Sequence, residues 1–384
     1  MSVGIPKNKA SYNLAGKGVC DYADCILVDD DLYVLYENVA ARSGENVLWI
    51  KKINLNTFDG REEKHPDLFR KHLRPELEGA STLHVGGNNV LVEGREGLVI
   101  SSTDRALILD EEVCAIEKWK SPMENFFSDN SYFRSSDVND PAKGYDIFDV
   151  ERKVITGHLD CDLSFVKPIS KWLIAGQRKN TNLAIFSIKD NCYVFELDNS
   201  RYRYRSQDTL RIIRFASTEE SLFALCGDAL VVVDLEKFSV VKELNYLDSN
   251  FLQKLLVKYD CSKADLLASS ISVERFGVVL SGGFNPGYVL CLDMIKENPY
   301  IWLNDGYDDM LGVCSKEDIV FGLDNRRPTA WDKFTGEKIW VASARGMANN
   351  VQVGRGWLVC SQVAGYIACY QLKKSFVSPY RPAV

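Results

Sequence analysis

The feature that most constrains this chain is a recurrence. Apolar runs that end in Asp return along most of its length: LILD ending at Asp110, IFD at Asp149, FELD at Asp198, VVVD at Asp234, CLD at Asp293 and AWD at Asp332, with weaker copies INLN at Asn56 and CYQ at Gln371. Successive ends lie 54, 39, 49, 36, 59, 39 and 39 residues apart. A unit of about 40 residues made of short β-runs cannot bury its own apolar faces, so such units must stack on one another. The 384 residues also exceed the roughly 250 to 300 at which one two-layer core stops growing, which favours growth by repetition.

Residues 221–244, SLFALCGDALVVVDLEKFSVVKEL, show what the unit is. They read as strand, Gly-Asp turn, strand, turn, strand, and the preceding LRIIRFAS supplies a fourth. The runs are apolar on both faces, as sheets packed against sheets require. The expected fold is therefore all-β, a β-propeller of four-stranded antiparallel blades forming one domain over residues 1–384. The repeated ends count eight blades. Seven is the alternative, because the first and last units are the weakest and ring closure can mix strands from both termini.

Both long intervals contain an insertion with helical spacing, near 66–79 and 248–260. In the second, Phe251, Leu252, Leu255, Leu256 and Tyr259 fall on one helical face, with Asp248, Ser249 or Asn250 available as N-cap. In the first, Pro66 stands where an opening helical turn tolerates it and Pro75 interrupts the run. Deletion of 248–260 is expected to leave folding largely intact, as loss of a surface insertion does.

The stretch TAWDKFTGEKIW, residues 329–340, has its own logic. Asp332 ends a strand and can accept turn amides, Thr335 and Gly336 make the reversal, and Trp340 returns with a large packing surface. The spacing Ala330, Asp332, Thr335, Gly336, Trp340 resembles the repeat of the quinoprotein-like (PQQ-type, WD40-like) propellers. That resemblance implies a propeller in which Ala330 is small so that Trp340 can dock. Quinoprotein dehydrogenases also carry an adjacent cysteine pair and a calcium site; this sequence has no Cys-Cys dipeptide, so quinone binding is not carried over and no cofactor is expected.

A net charge of −7 argues against nucleic acid or an anionic membrane as the main partner, since such binding rests on an excess of Lys and Arg. The N-terminal residues lack an apolar signal-like core and no run approaches a membrane span, so a cytoplasmic location is expected. Eleven cysteines, an odd number, fit a reducing compartment; Cys192, Cys291, Cys360 and Cys369 sit in apolar runs and read as small core residues. No CxxC occurs and the four histidines are scattered, so no structural metal is expected.

With strands a to d in each blade, the b-to-c loops and the d-to-a connections share one end, here called the loop end. The a-to-b and c-to-d turns share the other, the turn end. Both helical insertions fall at the loop end, together with Arg42 and Glu45, Asp137 and Asp140, Arg178, Phe284, Asp305, Tyr307 and Asp308, and Arg326 and Arg327. Loops on a rigid scaffold are where binding concentrates. RYRYR adds Arg201, Arg203 and Arg205 on one side of a strand, able to meet carboxylates or phosphates, or equally to guard a sheet edge with charge. NDGYDDM at 304–310 reads as an acidic loop without EF-hand order, and SGGFNPG at 281–287 as a hairpin loop without the P-loop ending.

The expected function is a monomeric protein-binding module, an adaptor or a stoichiometric inhibitor of the immunity-protein kind, docking another protein at its helix-decorated end. The alternative is a hydrolase- or lyase-type enzyme whose residues converge on the central channel from several blades.

Overall fold

Four successive strands, each continuing antiparallel to the last, are what the paired apolar runs produce. The computed structural model describes residues 7–13, 19–28, 31–39, 46–55, 69–72, 98–101, 106–109, 115–119, 125–128, 131–136, 143–149, 152, 154–178, 182–198, 214–274, 277–309, 312–316, 318–342, 348–354, 356–362 and 366–372. Their strands form eight antiparallel sheets, seven of four strands and one of three. In chain order these are sheet I (residues 19–72), II (98–119, three strands), III (125–159), IV (164–197), V (214–245), VI (268–309), VII (313–341) and VIII (348–371). Sheet VIII takes its outer strand from the other end of the chain, Lys7–Asn13, which pairs with Tyr366–Gln371. Both termini thus contribute to one sheet, and a single hydrogen-bonded ladder joins them.

Neighbouring sheets meet through their first strands: those of III and IV, V and VI, VI and VII, and VII and VIII are in contact. Each strand then sends alternate side chains to its two neighbours, because successive residues point to opposite faces. In sheet IV, Ala175, Leu183 and Ile185 pack with Leu222, Ala224 and Val231 of sheet V, while Ile174, Ala184 and Phe186 pack with Phe133 and Tyr145 of sheet III. In sheet VI, Val279, Val289 and Cys291 face Val320 and Trp331 of sheet VII. These second and third strands are buried on both faces, which explains why their sequences are continuous rather than alternating.

The Asp at the end of the third strand has a definite task. Asp234 Oδ1 accepts the amides of Glu236 and Lys237, Asp293 Oδ1 that of Ile295, and Asp332 Oδ1 those of Phe334 and Thr335. Each carboxylate thereby satisfies turn donors that have no ladder partner. Ala330 lies opposite Trp340 in register, and Trp340 is buried edge-on against Tyr370 of sheet VIII at 5.0 Å between centroids.

Four expectations need correction. Asp198 is not the equivalent landmark in sheet IV: FELD belongs to the fourth strand, Cys192–Leu197, and the third strand ends at Ser187. Ser187 Oγ there donates to Asp190 at 2.6 Å and accepts the Asp190 amide, so a hydroxyl occupies the place of the carboxylate. Within 66–79, Phe69–His72 is the fourth strand of sheet I rather than helix, because Asn46–Asn54 offers a free edge that the segment pairs along. Residues 304–309 are not a loop either. Phe284–Asp293 and Tyr300–Asp309 continue as a paired arm beyond the body of sheet VI, with bulges where the register shifts. Finally, Cys192 is exposed, because its strand is the outer one, whereas Cys291, Cys360 and Cys369 are buried as expected.

Candidate functional site

The helix Asn250–Tyr259 stands in the connection from sheet V to sheet VI, at the loop end. Ser249 caps it, accepting the Leu252 amide at 3.2 Å, and Asp260 ends it in the left-handed conformation at φ 51°. Leu252 and Leu255 point inward with Tyr246, Leu247 and Leu266 of the same connection, and all five are buried in one core with Phe223 and Leu230 of sheet V and Leu280 and Tyr288 of sheet VI. Tyr246 Oη donates to Gly227 O at 2.9 Å and accepts the Ala268 amide; Tyr288 Oη donates to Leu266 O at 2.8 Å. The segment is therefore a wedge between two sheets, not a detachable surface insertion. Its deletion removes core, contrary to the expectation from spacing alone.

The outward side of the same helix is different. Val257 is 86% exposed, the largest value among the exposed large apolar side chains of the described residues, with Lys254 and Lys258 beside it. Lys258 Nζ reaches Asp305 on the arm of sheet VI at 2.8 Å, and that contact holds its ammonium pKa up at about 12. The other exposed large apolar groups follow sheet after sheet on outer strands and turns: Val154 and Ile155 in III, Trp172 in IV, Val241 in V and Ile295 in VI.

Of the other candidates read from sequence, Arg178 is held in place. Its Nε donates to Asp162 at 2.7 Å, its Nη1 to Glu196 at 2.7 Å, and its guanidinium carbon lies 3.8 Å from the centroid of the Tyr193 ring. Tyr193 Oη also donates to Asp162, whose backbone amide donates back to the same hydroxyl. Burial opposes ionisation of Asp162, but Tyr193 and Arg178 outweigh it and hold the carboxyl below its usual range. This cluster pins the connection from sheet III across sheet IV, helped by Tyr145 Oη donating to Leu163 O at 2.7 Å. Sequence gave no signal for it, since its parts come from three places in the chain.

Asn325 and Arg326 form the two-residue turn of sheet VII, both at positive φ (48° and 60°), which is the backbone a tight hairpin needs. Arg327, just after it, is exposed. Phe284, Tyr307 and Asp308 lie on the arm of sheet VI with Asp305. Arg42, Glu45, Asp137, Asp140, Arg201, Arg203 and Arg205 lie outside the described residues.

The turn end is built for rigidity. Lys242 of sheet V donates to Met294 O and Lys296 O of sheet VI, Lys333 of sheet VII pairs with Glu274 of sheet VI at 3.3 Å, and Lys316 of sheet VII donates to Gly354 O of sheet VIII. Ser270 and Ser272 on the inner strand of sheet VI accept the amides of Val313 and Ser315 on that of sheet VII. Among the described inner-strand residues, Glu274 and Lys316 are thus engaged between sheets. No group of three or more metal-ligating side chains occurs among the described residues, and no helix there is long and apolar enough to cross a membrane.

The whole architecture matches solved structures. BamB from Moraxella catarrhalis superposes with a TM-score of 0.63 at 10% identity, over 96% of this chain and 100% of that one. The fold is a β-propeller. The computationally designed Ika8 protein (TM-score 0.60, 10% identity) and Sqt1 of Saccharomyces cerevisiae (TM-score 0.61, 8% identity) also align over 96% of this chain and 100% of their own. At these identities the likeness concerns the fold. No family model matches the sequence, and no curated protein does.

Proposed function

We propose that this propeller is a protein-binding module that docks its partner at the loop end of an eight-bladed, single-domain ring. The observation that carries the reading is the helix Asn250–Tyr259: its inner face is fixed in the core by Leu252 and Leu255, while its outer face presents Val257 at 86% exposure. An apolar group held that far out on a rigid support contributes nothing to the core and stands available to a partner. Propeller scaffolds of the matched kind commonly bind proteins, and the turn end is occupied by sheet-to-sheet ties. We further propose that the protein is monomeric, cytoplasmic and an adaptor or stoichiometric inhibitor; the eight free cysteines among the described residues suit a reducing compartment.

The test is capture from native extract on immobilised protein, comparing wild type with Val257→Asp at the loop end and Ile295→Asp at the turn end. A stoichiometric partner retained by Ile295→Asp and lost by Val257→Asp supports the reading. Loss with Ile295→Asp instead moves the docking face to the turn end, and no stoichiometric partner for any of the three overturns the module reading.

A further inference from the structure

Two Asp-Gly steps occur in the sequence, Asp59-Gly60 and Asp305-Gly306, and the second lies within a described strand, on the arm of sheet VI. Such a step is where a main chain can rearrange, because glycine has no Cβ to shield its nitrogen from the carboxyl group of the residue before it. In a regular strand the extended backbone keeps that nitrogen turned away. Here the strand is not regular. Tyr288 pairs with Asp305 and Gly287 with Tyr307, so Gly306 has no residue opposite it and stands as a bulge. The Asp305 side chain is 23% exposed, open to water, and its carboxylate is engaged by Lys258 of the helix, whose Nζ donates to Oδ2 at 2.8 Å. Asp308 and Asp309 on the same arm are followed by Asp309 and Met310, whose side chains shield the nitrogen, so the chemistry singles out one step.

We propose that Asp305-Gly306 is a backbone-isomerisation site that the contact with Lys258 holds closed. Water is the only co-reactant. The Gly306 nitrogen loses its proton and bonds to Asp305 Cγ, a carboxyl oxygen leaves as water, and a cyclic imide forms. Water then opens the imide. Attack at Cγ restores aspartate; attack at the Asp305 carbonyl carbon breaks its bond to the Gly306 nitrogen and leaves the chain running through Cγ, as isoaspartate with a free α-carboxylate. The isomer carries one extra main-chain carbon, so Tyr307–Asp309 lose register with Phe284–Gly287 and the carboxylate moves off Lys258. Lys258 guards the step because ring closure needs the Asp305 carboxyl to swing onto the Gly306 nitrogen, and the ammonium holds it elsewhere. The site is thus a covalent modification of the loop end that accumulates with time, and it does not depend on the docking reading above.

The experiment incubates the native protein in water labelled with heavy oxygen and follows the peptide containing Asp305 by mass spectrometry. Each passage through the imide adds one labelled oxygen whichever product forms, and electron-transfer fragmentation separates aspartate from isoaspartate. Lys258→Met is expected to label about two- to fivefold faster than wild type, the share that a part-exposed ion pair can hold back, and Lys258→Arg at the wild-type rate. Wild type at high salt should also label faster, because screening weakens the same pair without any substitution. Adding Gly306→Ala to Lys258→Met should suppress the labelling. Equal rates in wild type and Lys258→Met, or labelling that persists at full rate with Gly306→Ala, overturns the proposal. Unchanged urea midpoints show that native states are being compared. Where Lys258→Met lowers the midpoint, the salt series on wild type decides: faster labelling with salt supports the guard, and a flat series overturns it.

Discussion

Trp302 of sheet VI lies flat over Gly336 of sheet VII, so close that a Cβ at Gly336 would sit 2.7 Å from the indole Cδ2. Its Nε1 donates to Lys333 O at 2.8 Å, and Asn304 Nδ2 donates to Gly336 O at 2.8 Å. One sheet thus reads the turn of the next by both shape and hydrogen bonding. Gly336 is required twice, for this approach and for its φ of +74°.

Gly336→Ala is therefore expected to destabilise by about 2 to 4 kcal/mol, the sum of a left-handed penalty and overpacking against the ring. Urea unfolding followed by tryptophan fluorescence measures it. Trp302→Phe, which keeps a ring but loses the donor to Lys333 O, is expected to cost about 1 kcal/mol from the hydrogen bond and a further share from lost area. A neutral Gly336→Ala would mean the two sheets do not meet in this way.

Trp340→Ala should cost about 3 to 5 kcal/mol, as loss of a buried aromatic does. The residue is 8% exposed and packs on Tyr370, so the loss opens the junction between sheets VII and VIII, the junction next to the strand contributed by Lys7–Asn13. The change in urea midpoint at constant m-value is the readout.

The helix offers a paired test of its two faces. Leu255→Ala, at 3% exposure in the core between sheets V and VI, should lower stability by about 2 to 5 kcal/mol. Val257→Ala, two residues on and about half a turn round the helix at 86% exposure, should stay within about 0.5 kcal/mol. Deleting 248–260 should then unfold or severely destabilise the protein. Equal small effects from both substitutions would return the segment to the status of a tolerated insertion.

How much of this was open to sequence reading follows from distance along the chain. Local rules reached the strand runs and the Asp-capped turns, because each depends on neighbours within a few residues, while the small residue opposite Trp340 was implied by the resemblance to the quinoprotein-like repeat. FELD misled because an apolar-Asp ending closes a fourth strand as readily as a third; only the partner strands decide, and they place Ser187 in the expected role. Phe69–His72 looked helical between prolines, and the free edge of Asn46–Asn54 overrode that preference. Helical spacing correctly gave the helix but could not say that Leu252 and Leu255 face a gap between sheets. The Arg178–Asp162–Tyr193 cluster and the lysine ties join residues far apart in sequence, so composition and period carry no trace of them.

Acid should loosen the connection between sheets III and IV first. Burial raises the Asp162 pKa, yet the bonds from Tyr193 and Arg178 lower it further, so the folded value lies below the unfolded one near 3.8. Its stabilising share is thus fully present above about pH 4 to 5 and is lost as pH falls through the depressed folded value. Asp162→Asn should be less stable than wild type at pH 7 and should lose less stability between pH 5 and pH 3. Urea midpoints across that range measure it, and parallel curves for the two proteins would show that the carboxylate contributes nothing.

Thiol reactivity gives a last check on the layering of the sheets. Burial pushes the Cys291 and Cys369 thiols up to about 12, and both are shielded on two faces by neighbouring sheets. Cys192 sits exposed on an outer strand. Because the thiolate is the reacting form, Cys192 should label quickly at pH 8 in the native protein, while Cys291 and Cys369 should label only at the rate of unfolding. Mass spectrometry of labelled peptides over time resolves the three positions. Early labelling of Cys291 would mean that sheets VI and VII part locally without global unfolding, and the tie from Trp302 to Lys333 would then be too weak to hold them.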